Sequence, residues 1–304
     1  MTDARPARFA DRLAALVAQR ESQVVLGLDP DPNRVWPEAL AAAPESGSAA
    51  ERAAAAITAQ CLALIDAAGP ACVAVKPQVA CFERLGAPGW TALARVADAA
   101  RAAGLLVLAD GKRGDIDVTA AAYAQTFLAA APTPFGDVAA VDADALTVNP
   151  YMGGDTLSPF VATGRGLFVL VRTSNPGAAD VQDAELADGT KVWEHVARLV
   201  DHTGAEPGDT RPLCDVGAVV GATQPPHLAR ARDLMPRAVF LLPGIGAQGG
   251  RVEDLAPAFA PGRAAGLVTA SRSIARAHEQ HGGTPAAAAR AEAERLREQA
   301  WALA

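Results

Sequence analysis

The chain has 304 residues, half of them hydrophobic and a fifth charged, with a net charge of −7. This composition supplies a packed core and argues against a broad basic face, so no nucleic-acid partner is expected and any anion site must be local. Cys61, Cys72, Cys81 and Cys214 show no C-x-x-C spacing and no zinc-like arrangement with the five histidines, which points to a reduced, intracellular protein.

The N-terminus has no signal-peptide core, and no apolar run approaches a membrane span; a soluble cytoplasmic protein with no membrane partner is the expectation. Residues 6–20 carry Phe9, Leu13, Leu16 and Val17 at helical spacing. A first strand, Val24 to Leu28, ends in Asp29-Pro30, and 31–48 reads as a Pro-, Ala- and Ser-rich loop. An Ala-rich helix follows over 49–68, with Ile57, Leu62 and Ile65 as its stripe.

The second strand, Ala71 to Pro77, delivers Lys76 at its end, and a helix over about 90–103 leads to the third. There Leu105-Leu106-Val107-Leu108-Ala109 runs into Asp110-Gly111-Lys112-Arg113-Gly114-Asp115-Ile116. A short apolar run closed by glycine and charge reads as a buried strand. Two carboxylates flanking one ammonium favour its charged form.

A helix over 116–130 precedes the fourth strand, 145–150, which ends in Asn149. After a short helix near 155–162 comes the fifth, 166–172, ending in Thr173-Ser174. A polar, acidic insertion over 177–190 has no assignable role. A helix over 191–203, a sixth strand ending near Thr223 and a helix over 227–234 follow. The seventh strand ends in Pro243-Gly244-Ile245-Gly246-Ala247-Gln248-Gly249-Gly250 and the eighth in Ser271-Arg272. A charged C-terminal helix starts near Thr284, reads as a solvated face and completes the chain.

Eight near-continuously apolar strands alternating with helices are those of a parallel sheet covered on both faces. The expected fold is α/β, a (β/α)8 TIM barrel forming a single domain over 1–304. No G-x-G-x-x-G follows the first strand, against a doubly wound sheet. Polar strand ends then form a ring at one barrel mouth, where barrel enzymes work, and the loops after strands seven and eight are the recurrent phosphate site. Glycine N–H groups and the Arg272 guanidinium suit a phosphate dianion. The five histidines read as surface residues and the four tryptophans as packing.

Lys76-Pro77-Gln78, Asp110-x-Lys112-x-x-Asp115-Ile116, Thr173-Ser174-Asn175-Pro176-Gly177, the Gln248-Gly249-Gly250 loop and Ser271-Arg272-Ser273-Ile274 together resemble the orotidine 5′-phosphate decarboxylase family, in its longer bacterial subgroup. The resemblance covers Leu26 to about Ile274. It implies a carboxy-lyase that converts orotidine monophosphate to uridine monophosphate and CO2, the last step of de novo pyrimidine (UMP) synthesis, with no cofactor and no metal. Lys76, Asp110, Lys112 and Asp115 would form a charged catalytic array. Asp29 would bind a ribose hydroxyl. Thr173 or Ser174 would touch the pyrimidine, Ser174 being preferred because the family places a serine there. Gln248 and Arg272 would hold the phosphate. The family also implies a homodimer, with Asp115, Ile116 and Thr119 entering the partner's site. Gly111 departs from the pattern, where a side chain is expected, and would loosen the strand end.

Three other readings compete. A sugar-phosphate decarboxylase on the same barrel works through a metal-bound enediolate and wants an acidic ligand after strand two, where this chain has Gln78. A Schiff-base aldolase needs a lysine of lowered pKa, which flanking aspartates oppose. A non-catalytic nucleotide binder need not retain the whole charged array.

Overall fold

The computed structural model describes residues 8–205, 208–222, 225–245 and 250–304. Thr223 and Gln248 lie outside them. Eight parallel strands close into a barrel in chain order: β1 (Val24–Leu28), β2 (Ala74–Pro77), β3 (Leu106–Arg113), β4 (Ala145–Val148), β5 (Gly166–Arg172), β6 (Val216–Val220), β7 (Phe240–Leu242) and β8 (Gly266–Ala270). The barrel read from the alternation of apolar runs is the one observed.

Strand residues alternate between two apolar regions, as a two-residue side-chain period requires. Val24, Leu26 and Leu28 face the surrounding helices, and Val25 faces the lumen. Leu167 and Val169 point out from β5, whereas Phe168 points in. Helix α1 (Phe9–Arg20) lays Phe9 and Leu13 on that inner region. Phe9 meets Phe168 edge to face at 5.9 Å, so the N-terminal mouth is plugged and the opposite mouth carries the polar strand ends.

The segment read as a loop over 31–48 contains a 3₁₀ turn and a short helix, α2 (Pro37–Ala41), both started by a proline at their first position. Helix α3 (Ala49–Ala68) is held at its start by a capping box. The Ser48 hydroxyl accepts from the Glu51 N–H, and the Glu51 carboxylate accepts from the Ser48 N–H. Its buried face is Ile57, Cys61, Leu64 and Ile65 rather than one including Leu62. The window Ala49–Ala71 is long and apolar enough to cross a membrane by composition alone, which corrects the expectation that no run approaches that length. Its buried share, 61%, is that of a core helix.

A short helix unforeseen in the sequence, α4 (Val79–Glu83), precedes α5 (Ala87–Ala102). The remaining helices are α6 (Asp117–Phe127), α7 (Ser158–Val161), α8 (Ala178–Val181), α9 (Val192–Gly204), α10 (Pro225–Leu234), α11 (Arg272–Ala275), α12 (Ala277–His281) and α13 (Pro285–Leu303). The charged sequence of α13 hides a buried stripe of Ala289, Ala293, Leu296 and Ala300 against the rest of the fold, so it is not simply a solvated face. Two histidines also depart from the surface reading. His227 lies half-buried against Trp193, and His278 meets Trp36 edge to face.

Candidate active site

Three adjacent strands bring the charged residues together at the open mouth. Lys76 stands near the end of β2, Asp110 and Lys112 at the end of β3, and Thr147 on β4. Asp110, only 6% exposed, sits at the centre. One carboxylate oxygen takes the Lys76 ammonium at 2.5 Å and the Gln78 amide at 3.0 Å. The other takes the Lys112 ammonium at 2.6 Å and the Thr147 hydroxyl at 2.9 Å. Four donors saturate its lone pairs, so the carboxylate can neither rotate nor recruit water without losing a bond.

The electrostatics follow from that geometry. Burial by itself pushes the Asp110 carboxyl up, but the Lys76 and Lys112 charges outweigh it and hold its pKa well below the usual carboxylate range. For Lys76 burial pulls down, and the charges of Asp110 and Asp29 more than reverse it, leaving the ammonium above its ordinary pKa. Two ammonium groups bond directly to one carboxylate while Asp29 acts on Lys76 from beyond hydrogen-bond range, so fixed charges of both signs stand where charge can develop in a bound anion.

Lys112 adopts a left-handed backbone, φ +47°, where the register between β3 and β4 slips from Ala109 to Arg113. A lysine in that region costs of order 1 kcal/mol. The Thr147 hydroxyl, accepting from the Lys112 N–H at 2.9 Å, helps hold it there. The strand does not fray at Gly111. It continues to Arg113, and a Cβ on Gly111 would press the Leu146 side chain at 3.2 Å. The register slip to β4 falls across Gly111, so the ladder is irregular there although the strand runs on.

Asp115 does not flank Lys112 within this chain, contrary to the symmetric reading of the motif. After the bend, Gly114 packs so closely on Asn149 that a Cβ would lie 2.6 Å from its carbonyl oxygen. The chain is thereby directed outward, and the Asp115 carboxylate accepts from the Ile116 N–H at 2.8 Å. Asp115 is half-buried there, and Ile116 and Thr119 are exposed. Asn149, one of the polar strand ends, caps its own turn by accepting from the Tyr151 N–H.

Around the array the other expected residues take up the rim. Asp29 and Arg272 line one crevice together with Ser271 and Arg276. Arg272 is exposed, and its guanidinium makes no hydrogen bond or ion pair to another described residue. Ser174 is half-buried at the end of β5. The neighbouring Thr173 hydroxyl is engaged with the Asn175 carboxamide oxygen at 2.7 Å and with the Gln182 amide nitrogen at 2.9 Å. Thr147 was not singled out from the sequence, and Gln78 entered only as part of the Lys76-Pro77-Gln78 motif, with no contact to Asp110 expected of it. The available signal was a polar residue interrupting each apolar strand or strand end. Among the described residues, no three His, Cys, Asp or Glu side chains converge as a metal site would require.

The sequence model of the orotidine 5′-phosphate decarboxylase / HUMPS family matches residues 22–291. An orotidine 5′-phosphate decarboxylase of Deinococcus radiodurans is 49% identical over 217 residues, covering 70% of this chain and 75% of the relative. One from Rhodopirellula baltica is 41% identical over 279 residues, covering 90% and 89%. The solved structure of Leishmania donovani OMP decarboxylase superposes with a TM-score of 0.72 at 33% identity, covering 98% of this chain and 99% of that one.

Proposed function

The chain belongs to the orotidine 5′-phosphate decarboxylase / HUMPS family, and we propose that it decarboxylates orotidine 5′-monophosphate to uridine 5′-monophosphate and CO2 as a cytoplasmic, single-domain, cofactor-free enzyme. The observation that carries this reading is the Lys76–Asp110–Lys112 array, fixed at the C-terminal ends of β2 and β3.

In this reaction the bond from ring carbon C6 to the carboxylate breaks. CO2 departs, and the electron pair stays on C6, where no carbonyl is placed to accept it. A fixed cation beside C6 is what that chemistry requires. The Lys112 ammonium stabilises the developing carbanion and then passes it a proton, leaving a neutral amine that regains a proton from solvent. Asp110 fixes the Lys112 ammonium and faces the departing carboxylate. Lys76 balances the Asp110 charge, and Asp29 binds a ribose hydroxyl. Ser174 contacts the pyrimidine, preferred over Thr173 because the family places a serine there. Arg272, with Gln248, grips the phosphate, so binding energy far from C6 pays for positioning.

Loss of the orotate absorbance band on adding protein, unchanged by EDTA, tests the activity directly. Retention of the band with folded protein would sink this reading. Loss that EDTA abolishes would direct attention to metal-dependent lyases. Arg272→Ala should raise KM by roughly 10- to 100-fold, the worth of one charge-assisted contact, with kcat much less affected. Steady-state kinetics would show the split, and an equal fall in kcat would contradict the assignment.

We further propose that the enzyme is a homodimer in which Asp115, Ile116 and Thr119 complete the partner's site. The outward course of Asp115 supports this, as do the start of α6 and the adjoining turn after β4, with Ile116 53%, Val118 82% and Tyr151 85% exposed. Lys112→Ala and Asp115→Ala should each be inactive alone. Mixed and re-associated, they should regain activity, because a hybrid dimer then contains one intact site. Sedimentation should report a dimer. A monomer with full activity would exclude the shared site.

A further inference from the structure

The polar insertion over 177–190 reaches back to the end of β5. Arg172, 8% exposed, forks onto the Asp183 carboxylate through Nε at 3.0 Å and a terminal nitrogen at 2.9 Å. Its other terminal nitrogen donates to the Thr173 carbonyl. The Gln182 carboxamide oxygen accepts from the Thr173 N–H at 2.8 Å, and its nitrogen donates to the Thr173 hydroxyl at 2.9 Å. The insertion is itself anchored. The Trp193 N–H donates to the Gln182 carbonyl and the Val192 N–H to the Ala184 carbonyl, each at 3.0 Å, tying it to the start of α9.

The opposite side of the same three residues is walled by the end of β6. The Gly221 N–H donates to the Arg172 carbonyl at 2.7 Å. A Cβ on Gly221 would lie 3.0 Å from the backbone nitrogen and Cα of Ser174, so no other residue fits there without moving Ser174. Residues 172–174 are thus clamped between a glycine and the insertion.

We propose that Gln182 and Asp183 are positioning residues for the pyrimidine ring: they hold the Thr173 backbone so that the Ser174 hydroxyl is fixed where the base docks. This rests on the reading that Ser174 touches the pyrimidine. The role of 177–190 is then to set the recognition edge for the base, and the phosphate and ribose contacts at β1 and β8 are independent of it.

That independence separates positioning from a merely structural role. Calorimetric titration of the full-length protein with UMP and with ribose 5-phosphate compares ligands that share the sugar phosphate and differ in the base. Gln182→Leu should weaken UMP binding roughly tenfold, the scale of one or two lost neutral hydrogen bonds, and leave ribose 5-phosphate within about twofold. Gln182→Glu keeps the acceptor for the Thr173 N–H and loses only the donor to the Thr173 hydroxyl, so it should retain most of the UMP affinity. In a Ser174→Ala background, Gln182→Leu should cost less than about twofold more, because coupled residues are not additive. Equal loss of both ligands, unchanged UMP binding, or an undiminished effect without Ser174 would overturn the proposal. Wild-type protein that binds UMP no better than ribose 5-phosphate would instead overturn the reading of Ser174 on which it stands.

Discussion

Lys112→Ala is expected to lower kcat by at least about 10⁴-fold, more than about 5 kcal/mol of barrier. Two contributions are lost with one side chain. Removing an oriented electrostatic stabiliser costs about 10²–10³, and removing the proton donor about 10²–10⁴. The loss should fall on kcat with little change in UMP affinity, since the lysine acts on charge that exists only as the carboxylate leaves. Near-normal turnover would refute the assigned chemistry, and borohydride trapping of wild type should yield no adduct.

Asp110→Asn should impair both activity and stability. The amide keeps the shape, but it leaves two ammonium groups against a neutral partner. Breaking a buried pair costs about 3–5 kcal/mol, and turnover should fall by at least about 10²-fold because Lys112 loses the contact that fixes it. The pH dependence carries a sign that distinguishes this from generic damage. In wild type the Asp110 pKa is depressed, so its stabilisation is present above the unfolded value, about 3.9, and is lost only as pH falls through the lower folded value. Lys76 has a raised pKa, so its share is complete below about 10.4 and is lost as pH rises through the higher folded value. In Asp110→Asn, burial of Lys76 without that partner should push its pKa below the unfolded value. The variant should then become more stable as pH rises towards about 10, where wild type does not. Denaturant melts at several pH values would show it, and parallel curves would contradict the electrostatic account.

Local patterning made most of the fold legible. Apolar runs such as Leu105–Ala109 and Val216–Val220 announce buried strands because a parallel strand covered on both faces needs no polar alternation. The interrupted stretch over 31–48 concealed α2, because five residues are too few for a periodic stripe. The buried face of α3 was misread at Leu62 because alanine fills so much of the helix that periodicity hardly separates neighbouring faces. The charged α13 hid its buried stripe for the same reason.

For the active site, residue identity at strand ends was enough to nominate Asp29, Lys76, Asp110, Lys112, the Thr173-Ser174 pair and Arg272, and the family resemblance chose Ser174 from the pair. A parallel barrel places every strand's C-terminal end at one mouth, whatever the loop lengths. Which of these groups touch was decided only by tertiary structure. The left-handed Lys112 and the close approach of Gly114 to Asn149 turn Asp115 away from the lysine that its spacing suggested. The packing of β2, β3 and β4 recruits Gln78 and Thr147 to Asp110, and β6 and the 177–190 insertion enclose Ser174. One-dimensional spacing specifies which side chains arrive at a rim. Hydrogen-bond partners come from elements distant in sequence, and only the closed barrel sets those distances.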